Sequence, residues 1–114
     1  MPHYRMIMLS QAMPGREADY ERWYDEVHIP DMLQVPGFTA CQRFRVVKNV
    51  VGETSFPFCT IYELETESAD AATNAMFAAL QDGRMRMSDS VDTVAGQGFI
   101  CEEIRPRVTA VSAR

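Results

Sequence analysis

His28 is the residue in this chain best suited to moving a proton. It stands in the stretch WYDEVHIPDMLQVPGF, Trp23 to Phe38, with Tyr24 four residues before it and Asp25 three before. On a helix both spacings put side chains within reach of each other. A carboxylate at Asp25 would orient the imidazole and favour its charged form, and so would the negative end of a helix closing beside it. An imidazole that titrates near neutrality can take or give a proton at physiological pH, a role worth typically about 10²–10⁴ in rate. The position also has a structural reading. A histidine in the last turn of a helix can donate to free carbonyls and hold the turn made by Pro30. The sequence leaves both readings open.

Two phenols come next. If the first helix faces the third strand, Tyr24 and Tyr62 can both point between them, where a hydroxyl donates to a developing oxyanion or enolate. Each can equally be a core residue with its hydroxyl at the rim. Arg43 and Arg45 share one side of a strand. They can bind a carboxylate, but pairing with Glu63 and Glu103 on neighbouring strands is the preferred reading. Trp23 reads as packing. Only two histidines occur, with no His-x-His or HExxH arrangement, so no metal is expected. Phosphate-cradling glycine loops and a serine nucleophile elbow are absent from the sequence. Cys41, Cys59 and Cys101 form no CxxC pair and read as three reduced, buried small hydrophobes.

The elements that must hold these residues follow from pattern. His3 to Ala12 alternates as a strand and is broken by Pro14-Gly15. READYERWYDEVH carries helix formers, with Tyr20, Trp23, Tyr24, Val27 and His28 along one face. Pro30 is expected to stop or kink this helix by clashing with the carbonyl of Glu26, and DMLQV can add one more turn, ended by Pro36-Gly37. Phe38 to Val47 and Phe56 to Glu65 are strands joined by a hairpin loop. Ser68 caps a second helix whose buried face is Ala72, Ala75, Met76, Ala79 and Leu80, ended by Gly83. The irregular stretch from Arg84 to Gln97 has the length of a covering loop. Gly98 to Ile104 is a fourth strand. The order β-α-β-β-α-β is that of an α+β, ferredoxin-like domain: an antiparallel four-stranded sheet with both helices on one face. It spans residues 1–106, with a tail from 107 to 114 that is frayed or packed on a partner. Both faces of the strands carry apolar residues, and a bare apolar sheet face is unstable in water. A homodimer whose sheets close into a barrel is therefore expected.

Composition sets the outer limits. The 114 residues suit one small domain, which buries roughly two-thirds of its unfolded surface. The net charge is −5 and the basic residues are scattered, so neither nucleic acid nor an anionic membrane is an expected partner. No stretch approaches the roughly 18 apolar residues of a membrane span, and the apolar run at the start is too short for a signal peptide. A cytoplasmic location follows by default.

Trp23-Tyr24-Asp25, His28, Pro30, Leu33, Pro36-Gly37-Phe38 and Arg43-Phe44 together resemble the motif W-Y-D-x-x-H-x-P-x-x-L-x-x-P-G-F followed by R-[FY]. That motif is similar to the dimeric α+β-barrel superfamily, in particular its EthD-like branch (ethyl tert-butyl ether degradation protein). The resemblance implies the fold and the dimer. It implies activity only broadly, because the superfamily spans cyclases, isomerases, monooxygenases, lyases and dehydratases.

The expectation is a small homodimeric enzyme that needs no metal or organic cofactor. It would perform isomerase, cyclase or lyase chemistry on a small aromatic, lactone or polyketide-like substrate. His28 would move the proton, a tyrosine hydroxyl (Tyr24 or Tyr62) would steady the oxyanion, and Asp25 would orient the imidazole. Tyr20, Met32, Arg43, Phe44, Met76, Met85 and Met87 are the expected ligand contacts. A cofactor-independent monooxygenase and a non-catalytic small-molecule-binding dimer are the alternatives.

Overall fold

The computed structural model describes residues 1–111, so the end of the expected tail, 112–114, lies outside the described residues. The elements run β1 (His3–Ser10), α1 (Glu17–Trp23), a π turn (Tyr24–His28), α2 (Ile29–Met32), β2 (Phe38–Arg45), β3 (Phe58–Glu65), α3 (Ala69–Gln81) and β4 (Gln97–Glu102). The strands form one antiparallel sheet in the order β2-β3-β1-β4. This is the ferredoxin-like α+β arrangement read from the sequence.

Strand ends differ from expectation for local reasons. β1 stops at Ser10, and beyond it Ala12 makes only an isolated bridge to Val91. β3 starts after Pro57, which has no N–H to give to a ladder. β4 ends at Glu102 rather than Ile104; its ladder with β1 ends at Tyr4↔Glu102, and Pro2 has no N–H to extend it.

The helix, expected to stop or kink at Pro30 with one more turn open to it beyond, continues to Met32. The π turn makes this possible. Ile29 N–H donates to the Tyr24 carbonyl five residues back, so one extra residue is taken into the turn. Pro30 then sits in the first turn of α2, where its missing N–H goes unmissed. Gly37 closes the following turn at φ 95°, and a Cβ there would lie 3.3 Å from the Glu65 carbonyl oxygen. Glycine is the residue that fits both demands.

α3 is capped as expected: Ser68 Oγ accepts from Ala71 N–H at 3.0 Å, and Gly83 follows the helix at φ 84°. Ala72 and Ala79 are buried and let the helix approach the sheet. Leu80, expected on the buried face, is exposed instead.

The core has two parts. Met6, Met32, Val35, Phe38, Tyr62 and Leu64 build the larger, under α3. Tyr20, Trp23, Tyr24 and Phe58 build the smaller, under α1. The other sheet face carries Ile7 and Ile61, half-buried, with Phe44 44% and Phe99 48% exposed. The cysteines are free, but only Cys41 and Cys59 are even half-buried. Cys101 is exposed, which corrects the expectation of three buried thiols. Among the described residues, no helix is long and apolar enough to cross a membrane.

Candidate active site

A pocket of about 450 Å³ lies between the helices and the sheet. Six of the chain's eight methionines line it: Met6, Met8, Met32, Met76, Met85 and Met87. Trp23, Tyr24, His28 and Tyr62 supply the aromatic wall. Phe77, Leu80 and Met87 are its partly exposed apolar rim. Met8 owes its place there to Gly98, since a Cβ at 98 would collide with the Met8 thioether.

Residues 84–97 close one side of the pocket, and they are tied down along their length. Trp23 Nε1 donates to the Arg86 carbonyl at 2.9 Å. Asp31 accepts three hydrogen bonds from Arg86, one from its backbone N–H at 2.9 Å and two from its guanidinium at 3.1 and 2.8 Å. Further along, Arg16 bonds Asp89 at 2.9 Å, and Met13 N–H donates to the Ser90 carbonyl at 2.8 Å. The stretch is a fastened cover rather than a free loop. Asp31 and Arg86 carry no sequence signal of this role, because they are 55 positions apart.

His28 sits on the pocket wall. Its ring stacks on Trp23, with centroids 4.5 Å apart and planes at 23°, and meets Tyr24 edge-on at 5.0 Å. Its Nδ1 is buried without a hydrogen-bond partner among the described residues. That nitrogen is therefore not spent on helix carbonyls, as the structural reading required. Burial lowers its pKa from 6.5 to about 4, with only a partial upward pull from Asp31. The expected charged form is thus corrected to a neutral one at physiological pH. The helix does not end at His28, so no dipole end faces it, and the carboxylate expected beside it is engaged elsewhere.

That carboxylate is Asp25, which turns to Arg43 at 3.3 Å. Arg43 bonds Glu21 with both ends of its fork, at 2.7 and 3.1 Å. Its guanidinium lies 4.4 Å over the Tyr24 ring. Burial opposes its charge, but Glu21 outweighs that and raises the pKa above the usual arginine value. Neither the carboxylate-binding role nor pairing to Glu63 and Glu103 is what the structure places at Arg43. The residue clamps β2 to α1 from behind the pocket.

Tyr62 and Tyr24 are both buried and both line the pocket. Burial raises each phenol's pKa, that of Tyr62 far above the usual value, so both keep their protons. The Tyr62 hydroxyl lies near the Tyr24 hydroxyl and the Cys41 thiol, but among the described residues neither it nor Thr60 Oγ1 makes a hydrogen bond of good geometry. Met32, Met76, Met85 and Met87 lie where ligand contacts were expected. Tyr20, Arg43 and Phe44 do not line the pocket. Tyr20 is fully buried, stacks on Phe58 at 5.1 Å and shares a 2.6 Å hydrogen bond with Ser10, with its pKa pushed up to about 12 by burial. Phe44 pairs with Cys59 and so belongs to the opposite sheet face. Trp23 is the residue that sequence reasoning undervalued. Its spacing of five from His28 signals contact only when a π turn lies between them.

No family model and no curated protein sequence matches the chain. Solved structures do. An EthD family protein from Bacillus halodurans matches with a TM-score of 0.56 at 18% identity, over 91% of this chain and 100% of its own. A proposed monooxygenase from Shewanella loihica matches with 0.61 at 15% identity, over 92% and 97%. A dimeric ferredoxin-like protein from an uncultured marine organism matches with 0.57 at 15%, over 94% and 100%. The chain thus shares the ferredoxin-like α+β fold of these solved structures.

Proposed function

We propose that the chain is a homodimeric enzyme that uses no organic cofactor and performs proton-transfer chemistry, of isomerase, cyclase or lyase type, on a small aromatic, lactone or polyketide-like compound. The observation that carries the reading is the neutral imidazole of His28, its Nδ1 unpartnered, on the wall of an apolar pocket shared with two protonated phenols. Being neutral, His28 acts as general base. It takes a proton from a phenol, an enol or a carbon flanked by carbonyls. The oxyanion that forms pairs at once with the new imidazolium, which raises the imidazole's basicity in the complex. Tyr62 or Tyr24 donates to the same oxyanion. The apolar open sheet face, and the dimeric neighbour of the same fold, support the homodimer.

The test is a pH–rate profile for wild type and His28→Gln on candidate phenols and lactones. Wild-type kcat/KM should hold level from neutrality to about pH 5 and fall towards the pKa of about 4. His28→Gln should lose roughly 10²–10⁴ in rate at neutral pH. An unchanged rate in the variant rules out a catalytic imidazole. The likeness to the proposed monooxygenase favours a second reading, in which the deprotonated substrate itself reduces oxygen. Oxygen consumption on mixing with substrate separates the two.

A further inference from the structure

The pocket's lining is selective in charge. Among the described residues that form it there is no lysine or arginine. The nearest candidates are engaged: Arg43 behind Tyr24 with Glu21 and Asp25, and Arg86 with Asp31. Among the described residues that line the pocket the one charged side chain is an anion, Asp92, held by Gln11 Nε2 at 3.0 Å and by the backbone N–H groups of Val94 and Ala95. A carboxylate entering here would leave its water shell and meet no cation.

The uncharged polar side chains of the lining are a different set: His28, Tyr24, Tyr62, Ser10, Thr93 and Gln97. His28 Nδ1 and the Tyr62 hydroxyl are buried and, among the described residues, make no hydrogen bond of good geometry. A ligand hydroxyl that reached either atom would supply the hydrogen bond it lacks, which a hydrocarbon cannot. Most of the remaining lining is thioether, aromatic ring and aliphatic side chain. Sulfur favours the edge or face of a flat ring, and six flexible methionine chains adapt to its outline.

Resting on the reading of this pocket as the ligand site, we propose that it takes an uncharged, flat, hydroxyl-bearing aromatic and rejects the carboxylate of the same shape. The substrate is then a phenol or an enolised ring ketone before ionisation, and becomes charged only within the pocket, when His28 takes its proton. Lactone acids and aromatic acids fall outside the class.

The experiment uses the whole wild-type protein and three matched probes: 1-naphthol, naphthalene and 1-naphthoate. Affinity is read by equilibrium dialysis at neutral pH, and position by methyl-labelled methionine NMR. Met1 and Met13 lie outside the pocket and serve as internal controls. Naphthol should bind at least about tenfold more tightly than naphthoate and several-fold more tightly than naphthalene. It should shift the six pocket methionines and leave the controls unmoved. His28→Phe, which leaves Tyr62 in place, should reduce the advantage of naphthol over naphthalene, and the wild-type comparison stands even if that variant folds poorly. Naphthoate binding as tightly as naphthol at the pocket methionines overturns the charge selectivity and leaves the site intact. Naphthalene binding as tightly as naphthol overturns the role of the hydroxyl. If no probe moves the pocket methionines, the site reading falls and this proposal with it.

Discussion

At the scale of single residues, His28 links stability to pH as well as chemistry. Its pKa falls from 6.5 to about 4 on folding, so in the window between those values the unfolded chain binds the proton that the folded chain refuses. The contribution of the buried neutral imidazole is therefore complete above about pH 6.5 and is lost as pH falls towards 4. A shift of this size is worth up to about 3 kcal/mol. Urea unfolding of wild type from about pH 7.5 to 4.5 should show stability falling across that window, with a shallower fall in His28→Gln. Equal slopes for the two proteins would show that the imidazole is hydrated after all. The phenols cannot supply the slope, since burial raises their pKa values further from this range.

At the scale of elements, the π turn decides what the site is made of. In an α-helix two residues five apart point about 140° away from each other. The extra residue in the turn brings Trp23 and His28 onto one side, stacked at 4.5 Å. Trp23 then reaches the Arg86 carbonyl, and Asp31 one turn on reaches the Arg86 backbone and guanidinium. Helix and cover are thereby fastened at two neighbouring points. Asp31→Asn keeps the size of the side chain but weakens the charge-assisted bonds to Arg86. Amide exchange over residues 84–92 should quicken several-fold while β1 and β3 keep their protection. Uniform quickening across the sheet would mean that Asp31 supports the whole fold instead of the cover.

At the scale of the whole molecule, the undecided face of the sheet matters most. Phe44 and Phe99 stand half-exposed on it, with Ile7 and Ile61 between them. A groove of about 380 Å³ runs over the same face past Arg5, Ile7, Glu63 and Cys101, with Arg105 and Arg107 of the tail at its edge. A second sheet packed there would cover the phenylalanines. Wild type should elute as a dimer in light-scattering chromatography at micromolar concentration. Phe44→Glu/Phe99→Glu should elute as a folded monomer, since both changes lie on the side away from the pocket. A wild-type monomer at high concentration would remove the dimer from the proposed function and leave the pocket as described.

Period-two alternation and well-placed turn residues made four strands and two helices legible in the chain. Ser68, Gly37 and Gly83 do the local work their types suggest. These are short-range effects, and a sequence states short-range effects directly. What lay beyond reading was every outcome that depends on which distant group arrives first. Asp25 had His28 three residues away, yet Arg43 of β2 claimed it. Phe44 stands next to Arg43 in the chain, yet the pleat sends it to the other face of the sheet. The charge state of His28 depends on burial beneath Trp23 and the cover, which no neighbour in sequence reports. The sequence by itself determined the order of elements and the aromatic and methionine stock of the site. Only the tertiary structure decided that the imidazole is neutral and that the pocket beside it holds no cation, because desolvation and ion pairing are properties of a packed neighbourhood and not of a spacing.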